Sequence, residues 1–278
     1  MFYLTGLPFG LFVTIFFVFG VIIGSFLNVY LYRLHTGKSL MGSSHCLSCG
    51  NPLRAYELVP ILSYLALRGR CRKCNSYIPK RYLLVELLTG LLFVGVALVA
   101  ADIMSLLHLL FFVSVLVVIA VYDIYHLVIP DELVGSLMVT AMTYKFYLLI
   151  IGSPVQAFWF DVVTALIASL FLLSLWRVSK GTWIGFGDVK LVIPLALWVG
   201  YQAAFSMVVL AFWIGAVVGV LSILSHNIYR RGQPHLRFLP QELTMKSAIP
   251  FAPFLILGYL TVLFFGIDVI SLLSYVPQ

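Results

Sequence analysis

Charge is the scarcest thing in this sequence. Of 278 residues, 17 are Lys or Arg and 10 are Asp or Glu, so charged residues make up 10% of the chain, against roughly 25% in an ordinary soluble domain. That scarcity, beside 62% apolar residues, excludes an ordinary soluble enzyme, and it excludes disorder, which needs low hydrophobicity. Cysteine is also sparse, with four in the whole chain, which excludes a disulfide scaffold. Neither an HExxH pair nor a glycine-rich dinucleotide fingerprint is present, so zincin chemistry and a Rossmann-type cofactor site lack their signatures. What remains is a chain that lives in a bilayer.

A helix crossing a hydrocarbon core of about 30 Å needs about 20 residues. Stretches without Asp, Glu, Lys or Arg run over 1–32, 87–101, 103–122, 162–176, 191–229 and 247–267. The longest of these exceeds one crossing and breaks at Gly200-Tyr201-Gln202, where a glycine and a polar side chain interrupt the apolar pattern. A further stretch, 133–151, is apolar except for Lys145. The expectation is an all-α polytopic membrane protein of about eight transmembrane helices.

If the spans alternate from residue 1, the loops 33–81, 123–132, 177–190 and 226–248 share one side and carry 16 of the 17 Lys and Arg residues. The positive-inside rule makes that side cytoplasmic, with both termini outside. No Lys or Arg precedes residue 33, so 1–32 lacks the basic start of a cleavable signal and reads as a retained first helix. Lys145, the exception, either snorkels to an interface or points into the bundle. Nine of the positive charges sit in the first loop beside cysteines. That is a topological signature and a poor nucleic-acid one.

The loop 33–81 is the one segment long enough for a small separate domain, between a first helix over 1–32 and a seven-helix membrane domain over 82–278. It holds Cys46-Leu47-Ser48-Cys49 and Cys71-Arg72-Lys73-Cys74, 21 residues apart, against roughly 15 to 20 in zinc sites built from two CxxC pairs. Four thiolates suit a closed structural zinc site, which organises a domain too small for its own core. Two disulfides are disfavoured by a reducing cytoplasm and unligated thiols by the paired spacing. Glu57 and Glu86 are the acids nearby. Glu86 falls about one turn inside the second span, where a carboxylate needs a polar cavity or a partner such as Lys80 or Arg81; a structural ion pair and a functional role both remain open.

Two aspartates stand out. Asp123 ends the third span in Tyr122-Asp123-Ile124-Tyr125-His126, and Asp188 lies in Gly185-Phe186-Gly187-Asp188-Val189-Lys190 at the start of the sixth. Both fall at the cytoplasmic end of a helix, so a bundle can bring them together. Two carboxylates sharing a partly dehydrated site do not both ionise easily, so one keeps a proton while the other acts as base on water. That is the apparatus of an aspartic protease. Gly185 and Gly187 let backbone approach a substrate closely. Asp188 could also cap a helix starting at Val189, Asp131 after Pro130 reads as a helix N-cap, and His126 reads as an interfacial packing residue on the face of Asp123.

The ordered set of Gly24-Ser25-Phe26-Leu27-Asn28, the CxxC pairs around Leu58-Val59-Pro60-Ile61-Leu62-Ser63, Arg81-Tyr82 with Val85-Glu86, the 123–131 segment, Gly185 to Leu191, and Pro250-Phe251-Ala252-Pro253-Phe254 closely resembles the type IV prepilin peptidases. The resemblance covers about residues 20 to 260. It implies a membrane aspartic endopeptidase of the bacterial inner membrane that cleaves the basic leader of type IV prepilins or secretion pseudopilins at the cytoplasmic face. It also implies methylation of the exposed amino terminus with S-adenosylmethionine, tied to the cysteine loop. In family terms Asp123 and Asp188 match the catalytic aspartates, with Gly185, Gly187, Lys190 and Asp131 in support, and the methyltransferase candidates are Glu57 and Glu86 by chemistry and place. Ala252 and Val134 depart from the family's usual Gly and Thr, and both are expected to keep clear of the dyad. A peptidase with a merely structural zinc loop is the first alternative. A non-enzymatic scaffold or proton-coupled transporter, the second, expects carboxylates near mid-bilayer.

Overall fold

Backbone polar groups in hydrocarbon must be satisfied within their own segment, which leaves the long apolar runs only the helix. The computed structural model describes residues 6, 8–36, 39, 42, 44–229 and 250–269. Its helices are α1 (Phe9–Arg33), α2 (Leu62–Ala66), α3 (Arg81–Val99), α4 (Ile103–His126), α5 (Asp131–Ile150), α6 (Val155–Ser179), α7 (Phe186–Val199), α8 (Tyr201–Tyr229) and α9 (Ala252–Phe265). No β-strand occurs among the described residues, only two isolated bridges, His45 with Pro52 and Arg70 with Tyr77. Six helices are long and apolar enough to cross a membrane: α1, α3, α4, α5, α6 and the Tyr201–Leu221 part of α8. Two more, α7 and α9, stand where spans are expected but have 14 residues each, about 21 Å of helix. The protein is therefore an all-helical, multi-pass membrane protein with a four-cysteine segment between its first two long helices.

Local chemistry sets the boundaries. Asp102 precedes α4, its Oδ1 accepting the Ser105 N–H at 2.7 Å while Ser105 Oγ accepts the Asp102 N–H at 3.0 Å, a reciprocal cap. Pro130 and Pro154 sit just before α5 and α6, where a missing N–H costs nothing. The expected break inside 191–229 falls at Gly200, whose φ of +83° ends α7 in a conformation that favours glycine. The basic cluster beyond residue 229, and the start of the last expected span, lie outside the described residues.

The chain divides into two compact units, Met1–Val118 and Ile119–Gln278. In the first, α1 packs on α3 through Gly20 and Gly24. A Cβ at Gly20 would come 2.7 Å from the Thr89 carbonyl and one at Gly24 2.8 Å from the Glu86 Cα, so the four-residue glycine spacing lets the backbones touch. In the second, α7 is the central helix, packed by α5, α6, α8 and α9. Its Leu191, Val192, Leu195 and Ala196 are fully buried, which explains why a helix with two charges in its first turns still sits inside the bundle.

Candidate active site and metal centre

Asp123 lies in the last turn of α4 and Asp188 in the first turn of α7. They are 5% and 4% exposed, and Asp188 feels the charge of Asp123. Asp188 Oδ2 accepts the Gly185 N–H at 3.1 Å, so it bonds back to the residue before its own helix. The backbone N–H of Ala252, the first residue of α9, is directed at Asp123. One oxygen of each carboxylate, Asp123 Oδ2 and Asp188 Oδ1, is buried with no hydrogen-bond partner among the described residues. Buried polar atoms without partners are rare, and a bound water or a substrate group is the usual reason for them. The N-terminal ends of α7 and α9 both meet this pair, and helix N-termini favour negative charge.

Gly187 is required by its neighbour, since a Cβ there would come 2.9 Å from the Ile129 Cβ. That contact brings the segment after α4 against the first turn of α7. Lys190 reaches Asp131 in an ion pair and lies 5.2 Å over the Phe186 ring.

Three expectations need correction. Asp131 is no N-cap: Pro130 holds that position without a side-chain bond, and the Asp131 side chain pairs with Lys190 instead. Asp188 does not cap a helix starting at Val189, because α7 starts at Phe186 and places Asp188 inside the turn. Ala252 does not keep clear of the pair, since its N–H meets Asp123. His126, the last residue of α4, stacks on Tyr122 with ring centroids 4.3 Å apart, a packing contact, and is exposed where Asp123 is buried.

Lys145 points into the bundle. Its Nζ lies 2.6 Å from Asp161 Oδ2 in a buried ion pair, and Asp161 Oδ1 accepts the Tyr201 N–H at 2.7 Å. Asp161 escapes a reading based on charge-free runs, which starts the span at residue 162. Lys145 sixteen residues earlier is the signal that could have found it, because a lone cation in a span needs an anion.

The four cysteine sulfurs lie within 4.8 Å of one another, with Cys46 and Cys74 3.8 Å apart. A tetrahedral zinc with bonds of about 2.3 Å sets its sulfurs about 3.8 Å apart, so the residues present fit the ion. Both halves repeat one turn. The Cys46 N–H bonds the Asn51 carbonyl and the Gly50 N–H bonds the Cys46 carbonyl; Cys71 repeats this with Ser76 and Asn75, every distance being 2.9 Å. Gly50 and Asn75 occupy the same left-handed position, at φ +67° and +58°. Backbone N–H groups of Cys49 and Ser48 hold the Cys46 thiol down to about 6. The Ser76 hydroxyl and N–H hold Cys74 below its ordinary value. Cys49 has the Asn51 N–H in its favour, yet lost hydration and the neighbouring thiols push it up to about 11. Thiols that compete for charge in this way are what a bound cation relieves.

Glu57 accepts the Arg54 N–H at 2.8 Å and belongs to the short 3-10 turn Ala55–Glu57. Glu86 is buried, 7% exposed, and its Oε2 accepts the Ile61 N–H at 2.7 Å, with Ser25 as a second partner. The structure thus gives it backbone and hydroxyl donors in place of the ion pair with Lys80 or Arg81. Both glutamates line a cavity of about 410 Å³ between the helices of the first unit and the cysteine turns.

Comparison with known proteins agrees with this arrangement. The bacterial peptidase A24 N-terminal domain matches residues 18–100 and the type IV leader peptidase family matches residues 110–220. A prepilin leader peptidase/N-methyltransferase of Dichelobacter nodosus is 32% identical over 95% of this chain and 96% of its own length. Its namesake in Aeromonas hydrophila is 32% identical over 93% and 92%. That of Myxococcus xanthus is 36% identical over 77% of this chain, and the match spans 64% of that protein. No solved structure matches. With a relative this similar along almost its whole length, and both parts of the fold matched in order, the chain belongs to the prepilin leader peptidase/N-methyltransferase family.

Proposed function

We propose that the protein cleaves the leader peptide of type IV prepilins or pseudopilins and then methylates the new amino terminus. The single observation that carries the cleavage half is the buried pair Asp123 and Asp188, each with one oxygen lacking a partner among the described residues. In this reading one carboxylate takes a proton from a water between them as that water attacks the scissile carbonyl. The other, carrying a proton, hydrogen-bonds the carbonyl oxygen and then protonates the leaving amine. The Ala252 and Gly185 N–H groups hold the two side chains in place without occupying the free oxygens. The concentration of Lys and Arg in the loops 33–81, 123–132, 177–190 and 226–248 supports placing this helix end at the cytoplasmic face of the inner membrane, with the termini outside. Eight crossings, with α7 and α9 as the short ones, are consistent with that arrangement.

The methyl-transfer half rests on the relatives' shared name and on the four-cysteine segment of this chain. Bound S-adenosylmethionine would supply a methyl group carried on a sulfonium. Zinc on Cys46, Cys49, Cys71 and Cys74 would be structural, because four protein ligands leave the metal no open position. That same closure, and the placement of Asp123 and Asp188 at helix ends, weigh against a metalloprotease and against a mid-membrane proton path.

The test is the mass of a pilin. The purified protein in lipid or detergent, given a prepilin, is expected to remove the leader and, once S-adenosylmethionine is added, to increase the product by one methyl group. An unchanged prepilin mass would overturn the peptidase reading; cleavage without the methyl gain would confine the protein to proteolysis.

A further inference from the structure

The first unit contains a cavity to which the proposed leader cleavage assigns no part. The cavity of about 410 Å³ falls within the range of small-molecule pockets, roughly 300 to 1,000 Å³. Tyr32, Tyr64 and Tyr82 line its wall, and Cys46 and Cys71 contribute to the same lining, so the metal turns shape it. Two polar groups in it are deeply buried. Asn28 is 1% exposed; its Nδ2 donates to the Tyr82 carbonyl at 3.0 Å, and its Oδ1 has no partner among the described residues. An acceptor left idle at that depth is destabilising unless a ligand satisfies it. The other group is Glu86, oriented by the Ile61 N–H and by Ser25. An aromatic wall suits a purine and a sulfonium cation, and a carboxylate among apolar groups suits a proton to be removed.

We propose that this cavity is the methyl-transfer site, where S-adenosylmethionine binds with an N–H on Asn28 Oδ1 and Glu86 takes the proton from the pilin's new N-terminal ammonium. The placement rests on the methyltransferase reading above. Proton transfer to Glu86 leaves a neutral amine. Its lone pair forms the N–C bond as the C–S bond breaks, the bonding pair stays on sulfur as a thioether, and the methylated amine keeps its two hydrogens as a secondary ammonium. Glu86 then loses its proton to water. Aromatic contact with the sulfonium holds the methyl group toward the amine.

The full-length protein in detergent, irradiated with S-adenosylmethionine labelled in its methyl group and then digested, reports the place of binding. The same preparations are assayed for leader removal and for the methyl gain. Label is expected in peptides from 25–33 and 53–86. Asn28→Ala is expected to weaken labelling about tenfold, the size of one hydrogen bond. Glu86→Gln is expected to slow methylation by about 10²-fold or more while leader removal, assigned to Asp123 and Asp188, stays as in the parent protein. Label confined to other peptides, or full-rate methylation by Glu86→Gln, overturns the placement. If the parent protein methylates but is labelled elsewhere, this site alone is wrong; if it takes neither label nor methyl group, the methyltransferase reading falls with it.

Discussion

In the proposed reaction, individual residues around the two aspartates divide into those that would do chemistry and those that would hold it, and substitution separates them. Asp123→Asn or Asp188→Asn keeps the size of the side chain and its ability to accept a backbone N–H, but removes the exchangeable carboxyl proton. Each is expected to lower leader removal by about 10² to 10⁴-fold through kcat, with thermal unfolding unchanged; a variant that cleaves at the parent rate would dissolve the dyad. Gly187→Ala acts differently, because its Cβ would press on Ile129 at 2.9 Å. Overpacking of that kind costs about 1–3 kcal/mol, so a lower unfolding temperature should accompany the loss of activity. Asp131→Asn is the contrasting case. It breaks the ion pair with Lys190, but the Asp131 side chain is 75% exposed and such pairs contribute about 1 kcal/mol or less, so stability should scarcely move. At this scale the sequence shows which residues matter better than it shows how they bond. Asp123 and Asp188 stand out as carboxylates at helix ends. The bond of Asp131 to Lys190, 59 residues away, is invisible to local capping rules.

Among the helices, the charge that sequence reading left unplaced turns out to join three of them. Lys145 on α5 meets Asp161 on α6, and Asp161 accepts the first N–H of α8 at Tyr201. The turn at Gly200 is part of the same cluster, since a Cβ there would come 3.1 Å from Asp161 Oδ1. Removing one member of a buried pair strands the other and costs about 3–5 kcal/mol, so Lys145→Met should lower the unfolding temperature sharply. Adding Asp161→Asn removes the stranded charge while keeping an acceptor for Tyr201. The double variant should therefore be more stable than Lys145→Met alone, a non-additivity that thermal unfolding in detergent measures. Strictly additive losses would mean that the pair does not act as one unit. The same cluster explains why α6 starts at Val155, seven residues before its expected start at 162: a paired carboxylate does not end an apolar helix, but a charge-free window treats it as if it did. The break at Gly200, by contrast, is legible because a glycine and the polar Gln202 beside it signal it locally.

At the scale of the whole molecule, the chain divides into two compact units, each holding one of the two candidate sites, and the composition anticipates this only in part. Long charge-free runs reveal the helices, and paired CxxC spacing reveals the metal turns, because both are local patterns. What the sequence hides are the approaches that depend on backbone meeting backbone: Gly20 and Gly24 against α3, the Ala252 N–H against Asp123, and Ile61 against Glu86. The partners identified for Asp123 and Asp188, namely Gly185 and Ala252, all belong to the second unit, 119–278, whereas Cys46 and Cys71 line the cavity of the first. Stripping the metal with a strong chelator should therefore separate the activities. Without a cation, the thiols return to competing for protons, and the four sulfurs, which lie within 4.8 Å of one another, lack the bonds to a common ion that would tie the paired turns together. Methyl gain on a pilin should fall and return with added zinc, while leader removal persists because its carboxylates are held by other groups. Metal content measured alongside both masses decides the matter. Proteolysis that vanished with the metal would make the cysteine segment part of the peptidase, and methylation that survived complete metal loss would leave the four thiols without a part in it.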